Sequence, residues 1–170
     1  MTESFPIGQL AAQAESIRQL CAGVDESQAR WRPEADSWSM LEVINHLADE
    51  ECADFRTRLD CILHRPDDPW PPIDPAGWVL QRRYNQRDLG ESLQRFRAAR
   101  QESLEWLRSL GGADLNVSAP APWGGRIRAG DMLAAWVAHD LLHLRQLVEL
   151  HYAWTAQRMQ PWSVAYAGDW

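Results

Sequence analysis

The residues with the clearest capacity for chemistry are two histidines late in the chain, His139 and His143. They are four positions apart, so on a helix their side chains lie on one face, with Cβ atoms about 5–6 Å apart. Two imidazoles at that separation can bind one metal ion, to which each nitrogen bonds at about 2.0–2.1 Å. The pair alone leaves two interpretations open: part of a metal site, or two histidines satisfied within the fold or by solvent.

A metal site needs a third ligand, and His46 is the best candidate for it. His46 lies early in the second predicted helix, away from the centre of its apolar stripe, so it faces either solvent or a second groove. Glu50, one turn later on the same face, is a fourth ligand, a base or a solvated charge, and we favour the solvated charge. Gln146 either orients a ligand or is a partly exposed helix residue.

The other residues with reactive side chains indicate structure rather than chemistry. Cys52 and Cys61 are nine residues apart on one predicted helix, about 13 Å along its axis, so they cannot form a disulfide. Each is interpreted as a small apolar residue. His64 and His151 are also expected to be structural.

Charge excludes one class of partner. The net charge is −7, and all 17 basic residues are arginine. A negatively charged chain without lysine is not expected to bind nucleic acid, because contacts to phosphates need a basic patch. Arg82, Arg83 and Arg87, just before the third predicted helix, either are solvated or hold an anionic substrate, and we favour solvation.

Length and composition predict a globular protein of 170 residues, with 45% hydrophobic and 24% charged residues. Three cysteines, an odd number, argue against a disulfide framework. There is no hydrophobic signal core and no apolar run of about 20 residues, so we expect a cytoplasmic protein that does not enter a membrane. The ten tryptophans are interpreted as packing residues rather than as an aromatic ligand box.

Helical periodicity predicts an all-α protein, and no segment shows a convincing strand pattern. Ser39 and Glu42 form a capping box at the start of the second helix, and Asp88 with Glu91 repeats that spacing at the third. The long helices are predicted at residues 6–22, 39–64, 88–110 and 131–158, with a short helical turn at 26–30.

The connectors predict how the helices are arranged. Residues 65–87 contain R-P-D-D-P-W-P-P-I-D-P, which cannot be the interior of a helix. This connector is long enough to travel the height of a bundle, so helices two and three can run parallel in a four-helix bundle with a long crossover. W-G-G-R in the next connector is only a turn signal. We expect residues 1–158 to form the bundle and the aromatic tail, 159–170, to dock on it.

Three stretches of the sequence resemble one family. They are W-S-M-L-E-V-I-N-H-L-A-D-E-E, preceded by R-P-E-A-D, then D-L-G-E-S-L-Q-R-F-R-A-A-R, and then H-D-L-L-H-L-R-Q-L. In this order they resemble the signature of the DinB-like four-helix-bundle superfamily, whose last helix carries H-x-x-x-H-x-x-Q. The resemblance covers roughly residues 5–154.

The resemblance implies an up-down-down-up bundle and a divalent metal held by His46, His139 and His143. Zinc, nickel or iron suits such imidazole ligands. Three ligands leave a coordination position open for water or substrate. The resemblance also implies a homodimer, and a metal-dependent transferase that uses a low-molecular-weight thiol on a small-molecule substrate. Metal-assisted hydrolysis is a second version of the activity. The alternative is a non-catalytic dimeric bundle whose fold a metal supports.

Overall fold

The computed structural model of the chain describes residues 5–168, with side chains from residue 6 onward. It is a four-helix bundle, as predicted, and its long helices follow the four predicted segments. The second long helix is continuous from α3 through a π-helical turn into α4. The α-helices are α1 (Phe5–Leu20), α2 (Glu26–Arg30), α3 (Met40–Glu50), α4 (Arg56–His64), α5 (Pro75–Gln81), α6 (Leu89–Ser109) and α7 (Ala129–Arg158).

The predicted helix starts are confirmed in atomic detail. The backbone N–H of Glu42 donates to Ser39 Oγ at 3.2 Å, and the backbone N–H of Ser39 donates to the Glu42 carboxylate at 2.8 Å. At the start of α6 the backbone N–H of Glu91 donates to Asp88 Oδ1 at 2.8 Å. These bonds satisfy backbone donors that a helix leaves unpaired at its N-terminus.

A π-helical turn, Glu51–Phe55, interrupts the second long helix directly after Glu50. It holds more residues than an α-turn, so the side chains beyond it are rotated relative to those before it. Glu51, Asp54 and Phe55 are all buried in this turn. Single π-turns inside α-helices are frequent at functional sites.

Hydrogen bonds between helices show that α1 and α7 run parallel. The Gln13 side-chain amide donates to the Val137 carbonyl at 3.1 Å, and His151 Nε2 lies 2.6 Å from the Leu20 carbonyl. The residue numbers therefore increase together along the two helices.

The second and third long helices also run parallel to each other. Asn45 donates to Ser92 Oγ at 2.9 Å near their beginnings, and Arg56 donates to Glu102 at 3.2 Å further along both. The crossover between them thus spans the bundle, as predicted.

The second long helix runs antiparallel to α7. His46 packs on His143, with ring centroids 4.8 Å apart, whereas Trp136, earlier in α7, donates its indole N–H to Glu51 at 2.9 Å. Combined with the two parallel pairs, this gives the up-down-down-up topology.

The long crossover contains a helix, α5, that the sequence analysis did not predict. Asp74 caps it, since its carboxylate accepts from the backbone N–H of Gly77 at 2.9 Å, and Pro75 occupies the first turn. Both features are typical of a helix N-terminus. The segment R-P-D-D-P-W-P-P-I-D-P is not the interior of a helix, as predicted, because α5 begins at its last residue, Pro75.

The all-α prediction is confirmed, but the described chain also contains one short hairpin that no pattern in the sequence indicated. A two-stranded antiparallel hairpin, β1 (Ser118–Pro120) and β2 (Arg126–Arg128), precedes α7. Gly124 and Gly125 lie in its loop with φ of +97° and +76°, a region that favours glycine because it has no Cβ. Strands this short are too brief to show an alternating pattern.

Tryptophan contributes to the core at several positions. Trp136 is fully buried and stacks on Phe55, with ring centroids 5.7 Å apart, and Trp78, on α5, is also buried. Trp123 and Trp162 are exposed. The packing interpretation therefore holds for some of the tryptophans and not for all.

After α7 ends at Arg158, the chain continues through an exposed segment with a 3₁₀ turn at Ala165–Ala167. Trp162 and Tyr166 are exposed there, so docking of the tail stays a prediction. Within residues 5–168 no helix combines the length and the apolar character needed to span a bilayer.

Candidate metal centre

The fold brings together the three histidines that the sequence analysis selected. His46 comes from α3, and His139 and His143 lie one turn apart on α7. His139 Nε2 is 3.4 Å from His46 Nε2 and 3.1 Å from His143 Nε2. One potential ligand atom of each ring lies within 4.8 Å of those of the other two.

These distances fit a single metal ion. Nitrogens bound tetrahedrally at about 2.1 Å from one cation lie roughly 3.4 Å apart, which follows from the bond length and angle. The observed separations of 3.4 and 3.1 Å match that value closely. Small side-chain rotations would bring the three nitrogens into the ligand geometry.

Burial keeps all three rings neutral, which metal binding requires. Desolvation lowers the pKa of His46 to about 3, helped by repulsion from His143. Desolvation likewise lowers the pKa of His139 to about 3, with further lowering by His143 and His46. It also lowers the pKa of His143, against a hydrogen bond to Gln146 that raises it. Each ring therefore offers a lone pair at neutral pH.

Neighbouring side chains fix the orientation of the rings. His143 Nδ1 lies 2.8 Å from Gln146 Oε1, an acceptor, so Nδ1 carries the proton and Nε2 is left as the ligand atom. Trp38 packs on the His46 ring, with centroids 4.9 Å apart, and Phe55 packs on His139 at the same separation. Of the two interpretations of Gln146, the structure supports the orienting one.

Glu50 is not the solvated charge that we favoured from the sequence. It is 4% exposed, and its Oε1 lies 3.9 Å from His46 Nδ1. Burial, followed by a hydrogen bond with Asp54, raises the pKa of Glu50 to about 8. The sequence analysis did not foresee that α5 and the 3₁₀ turn at Tyr84–Gln86 also pack on α3, so that every residue of this helix is buried.

A cavity of about 690 Å³ opens beside the triad and reaches His143. Its volume is in the range of sites for small molecules. Trp38 and Tyr152 supply aromatic surface, whereas Asp36 and Glu149 supply carboxylates. Among the described residues that line it, none is an arginine.

The remaining two histidines have structural roles, as predicted. His64 Nδ1 lies 2.9 Å from Asp60 Oδ1 at the end of α4. His151 bridges α7 to the carbonyl of Leu20 at 2.6 Å and to the side chain of Gln28 at 3.0 Å. Both positions lie outside the triad.

The interpretation of the three arginines before α6 as solvated holds in part, since Arg82 and Arg83 are exposed and Arg87 is half-buried. Arg82 donates to Asp49 at 2.6 Å, and Arg87 donates to Asn45 at 2.9 Å. Only Arg83 is exposed without a side-chain partner given by the described structure. Arg82 and Arg87 therefore brace α3, and neither lines the cavity beside the triad.

The three cysteines are free thiols, as expected. Cys21 and Cys61 are buried, and Cys52, within the π-turn, is exposed. Burial raises the pKa of Cys21 to about 12 and also raises that of Cys52. Neither of these two is activated as a nucleophile.

The sequence analysis missed a buried ion-pair network at the centre of the bundle. Arg100, on α6, donates to Glu51 at 2.8 Å, to Asp140 at 2.7 Å and to the Leu10 carbonyl at 2.8 Å. Trp136 donates to the same Glu51 oxygen. One guanidinium thus links all four long helices, and no local pattern marks residues this distant in sequence as partners.

The chain matches the DinB superfamily over residues 9–147. Among solved structures it is similar to YfiT from Bacillus subtilis, described as a probable metal-dependent hydrolase with an unusual four-helix bundle topology. That match has a TM-score of 0.77 and 20% identity, and it covers 93% of this chain and 90% of YfiT. No curated protein gives a significant match. The match over residues 9–147, more than half of the sequence, shows that this chain belongs to the DinB superfamily.

Proposed function

We propose that this protein is a metal-dependent enzyme that hydrolyses a small molecule, with His46, His139 and His143 as the ligands of one divalent cation. The observation that carries the proposal is the convergence of three neutral Nε2 atoms beside a cavity. When bound, the cation would supply a Lewis acid with an open coordination position, which is typical of catalytic rather than structural sites.

The protein's own residues supply positioning and exclusion of water. Gln146 holds His143 by its Nδ1, and Trp38 covers His46 while also lining the cavity. The similarity to YfiT, itself described as a probable metal-dependent hydrolase, supports hydrolysis as the reaction class. A homodimer in the cytoplasm stays a prediction.

Charge in the cavity bears on the alternative of thiol transfer. Asp36 and Glu149 line the cavity; Glu149 pairs with Arg145 at 3.3 Å, but no arginine is among the described lining residues. Low-molecular-weight thiols that carry carboxylates would be repelled there. We therefore place hydrolysis ahead of transfer to or from such a thiol.

The first test is metal content. The wild-type protein, His139→Ala and His64→Ala are purified without chelators, and metal per chain is measured by mass spectrometry. His139→Ala should lose the metal and keep its helical circular dichroism, whereas His64→Ala, which removes a histidine outside the triad, should match the wild type. Unchanged metal content in His139→Ala would show that the ligand assignment is wrong.

The second test is turnover. Metal-loaded wild type and His139→Ala are assayed on a panel of esters, amides and lactones, with and without a low-molecular-weight thiol and an electrophile. Hydrolysis by the wild type alone, abolished by a chelator, is the expected result. Turnover that requires the thiol would show that the reaction is transfer rather than hydrolysis. A metal-loaded wild type with every coordination position occupied by protein would favour the non-catalytic bundle.

A further inference from the structure

Four polar side chains follow one another along one face of the second long helix, each four residues after the last. They begin at the candidate ligand His46 and continue through Glu50 and Asp54 to Arg58. His46 Nδ1 is 3.9 Å from Glu50 Oε1, the Glu50 carboxyl neighbours that of Asp54 and its pKa is raised by burial and by this neighbour, and Asp54 Oδ1 is 2.7 Å from Arg58 Nε. Arg58 in turn lies over the Trp70 ring at 5.0 Å.

Two atoms at the start of this series are buried and face each other without a partner. His46 Nδ1 and Glu50 Oε1 have no hydrogen bond in the described structure, although both are out of contact with water. Their separation of 3.9 Å exceeds hydrogen-bond length by about 1 Å, which a small rotation of the Glu50 side chain can close. Buried polar atoms are nearly always paired, so this is the contact that the two atoms are placed to make.

We propose that Glu50 is a positioning residue that accepts the Nδ1 proton of His46 and so turns the His46 Nε2 lone pair toward the cation. The part that concerns the cation rests on the function proposed above. Glu50 Oε1 can accept this bond whether its carboxyl is ionised or protonated. Asp54 and Arg58 hold the Glu50 carboxyl in place from the other side.

The other end of the triad shows the same arrangement with different residues. Gln146 Oε1 accepts from His143 Nδ1, leaving His143 Nε2 for the cation. Metal-binding histidines commonly use their second nitrogen in this way. With Glu50 acting on His46, two of the three rings are oriented by an acceptor on their own helix, one or nearly one turn later.

This assignment predicts which ring nitrogen carries the proton in each of the three histidines of the metal-free protein. If His46 and His143 carry their protons on Nδ1, their Nε2 atoms are both acceptors. His139 Nε2 lies within 3.4 Å of both, so it must carry the proton that the two share. The expected tautomers are therefore Nδ1–H for His46 and His143 and Nε2–H for His139.

The test compares Glu50→Leu, which removes the acceptor at similar size, with Glu50→Gln, which keeps an acceptor oxygen. Asp60→Leu is the matched control, because Asp60 forms the same four-residue pair with His64 outside the triad. Two quantities are measured: the imidazole tautomers of the metal-free proteins by ¹⁵N NMR, and zinc affinity by competition with a chromophoric chelator.

The wild type, Glu50→Gln and Asp60→Leu should show His46 as the Nδ1–H tautomer and bind zinc with similar affinity. Glu50→Leu should lose that tautomer preference and bind zinc about 10- to 100-fold more weakly. Unchanged tautomer and affinity in Glu50→Leu would overturn the proposal. So would a wild-type His46 protonated on Nε2, a result that needs no variant to fold. If no protein bound zinc while the tautomer still followed Glu50, the proposed function would fail and the positioning role would stand.

Discussion

Arg100→Met tests the claim that one buried guanidinium holds the four long helices together. Arg100 is 2% exposed and donates five hydrogen bonds to Glu51, Asp140 and the Leu10 carbonyl. Methionine keeps much of the side-chain length and removes every donor. Two carboxylates would then lie buried opposite an apolar group, and one helix carbonyl would lose its extra partner.

The expected loss is large because the partners cannot reach water. Glu51 is 2% exposed and Asp140 is 1% exposed. Removing one partner of a buried ion pair costs about 3–5 kcal/mol, mostly because an uncompensated charge remains. For a protein of this size, 1 kcal/mol corresponds to about 2–4 °C in Tm, so Arg100→Met should lower Tm by about 6–20 °C.

The assay is urea unfolding followed by circular dichroism, with Arg97→Met as the control. Arg97 is exposed on the same helix, so its replacement should change the free energy of unfolding by less than about 0.5 kcal/mol. Adding Glu51→Gln and Asp140→Asn to Arg100→Met should recover part of the loss, because the stranded charges are then gone. An Arg100→Met protein within about 1 kcal/mol of the wild type would refute this account of the network.

Two further predictions concern local stability and pH. Ser39→Ala should cost about 1 kcal/mol of unfolding free energy in urea, because it removes the cap of the Glu42 N–H; a loss below about 0.3 kcal/mol would contradict the cap's contribution. In the metal-free protein, stability should fall as pH drops from about 6.5 toward 3, because the unfolded chain binds protons at His46 and His139 that the folded chain, with pKa values of about 3, does not. Each histidine contributes a slope of up to about 1.4 kcal/mol per pH unit. Glu50, with its pKa raised from 4.5 to about 8, acts in the opposite direction between those values, so stability should peak near pH 6.5 and fall most steeply below 4.5. Urea unfolding across pH 3.5 to 8.5 checks both slopes, and stability that rose on acidification below pH 4.5 would contradict the neutral state of the two rings.

Features that depend on neighbouring residues were predictable from the sequence. The capping box at Ser39 and the N-cap at Asp88 predicted two helix starts, because their hydrogen bonds join residues three apart. The spacing of His139 and His143 predicted a shared face for the same reason. His46 had no such local partner: it was the best candidate for a third ligand, but its position left open whether it faced solvent or a groove, and the resemblance to a family indicated a ligand.

Features that depend on a change of helix register were not predictable. The apolar stripe was extended along one regular period from Ser39 to His64, and a π-turn within it leaves no distinct residue pattern. The burial of Glu51 and Asp54 in this turn was therefore not predicted, and the burial of Glu50 was missed because the packing of α5 on α3 was not predicted either. The α5 helix is different, since Asp74 and Pro75 carried a usable start signal that the density of prolines obscured.

The buried network around Arg100 anchors the two ligand-bearing helices without binding the ligand side chains themselves. Glu51 follows Glu50, and Asp140 follows His139, so each anchored residue is next to a residue of the site. Adjacent helical residues point about 100° apart, which lets one side chain bind Arg100 while its neighbour faces the triad. The backbone of α7 is therefore anchored directly after His139, and that of the second long helix five residues after His46. Arg100→Met should accordingly reduce both stability and zinc affinity, whereas Glu50→Leu should reduce zinc affinity without a comparable loss of stability.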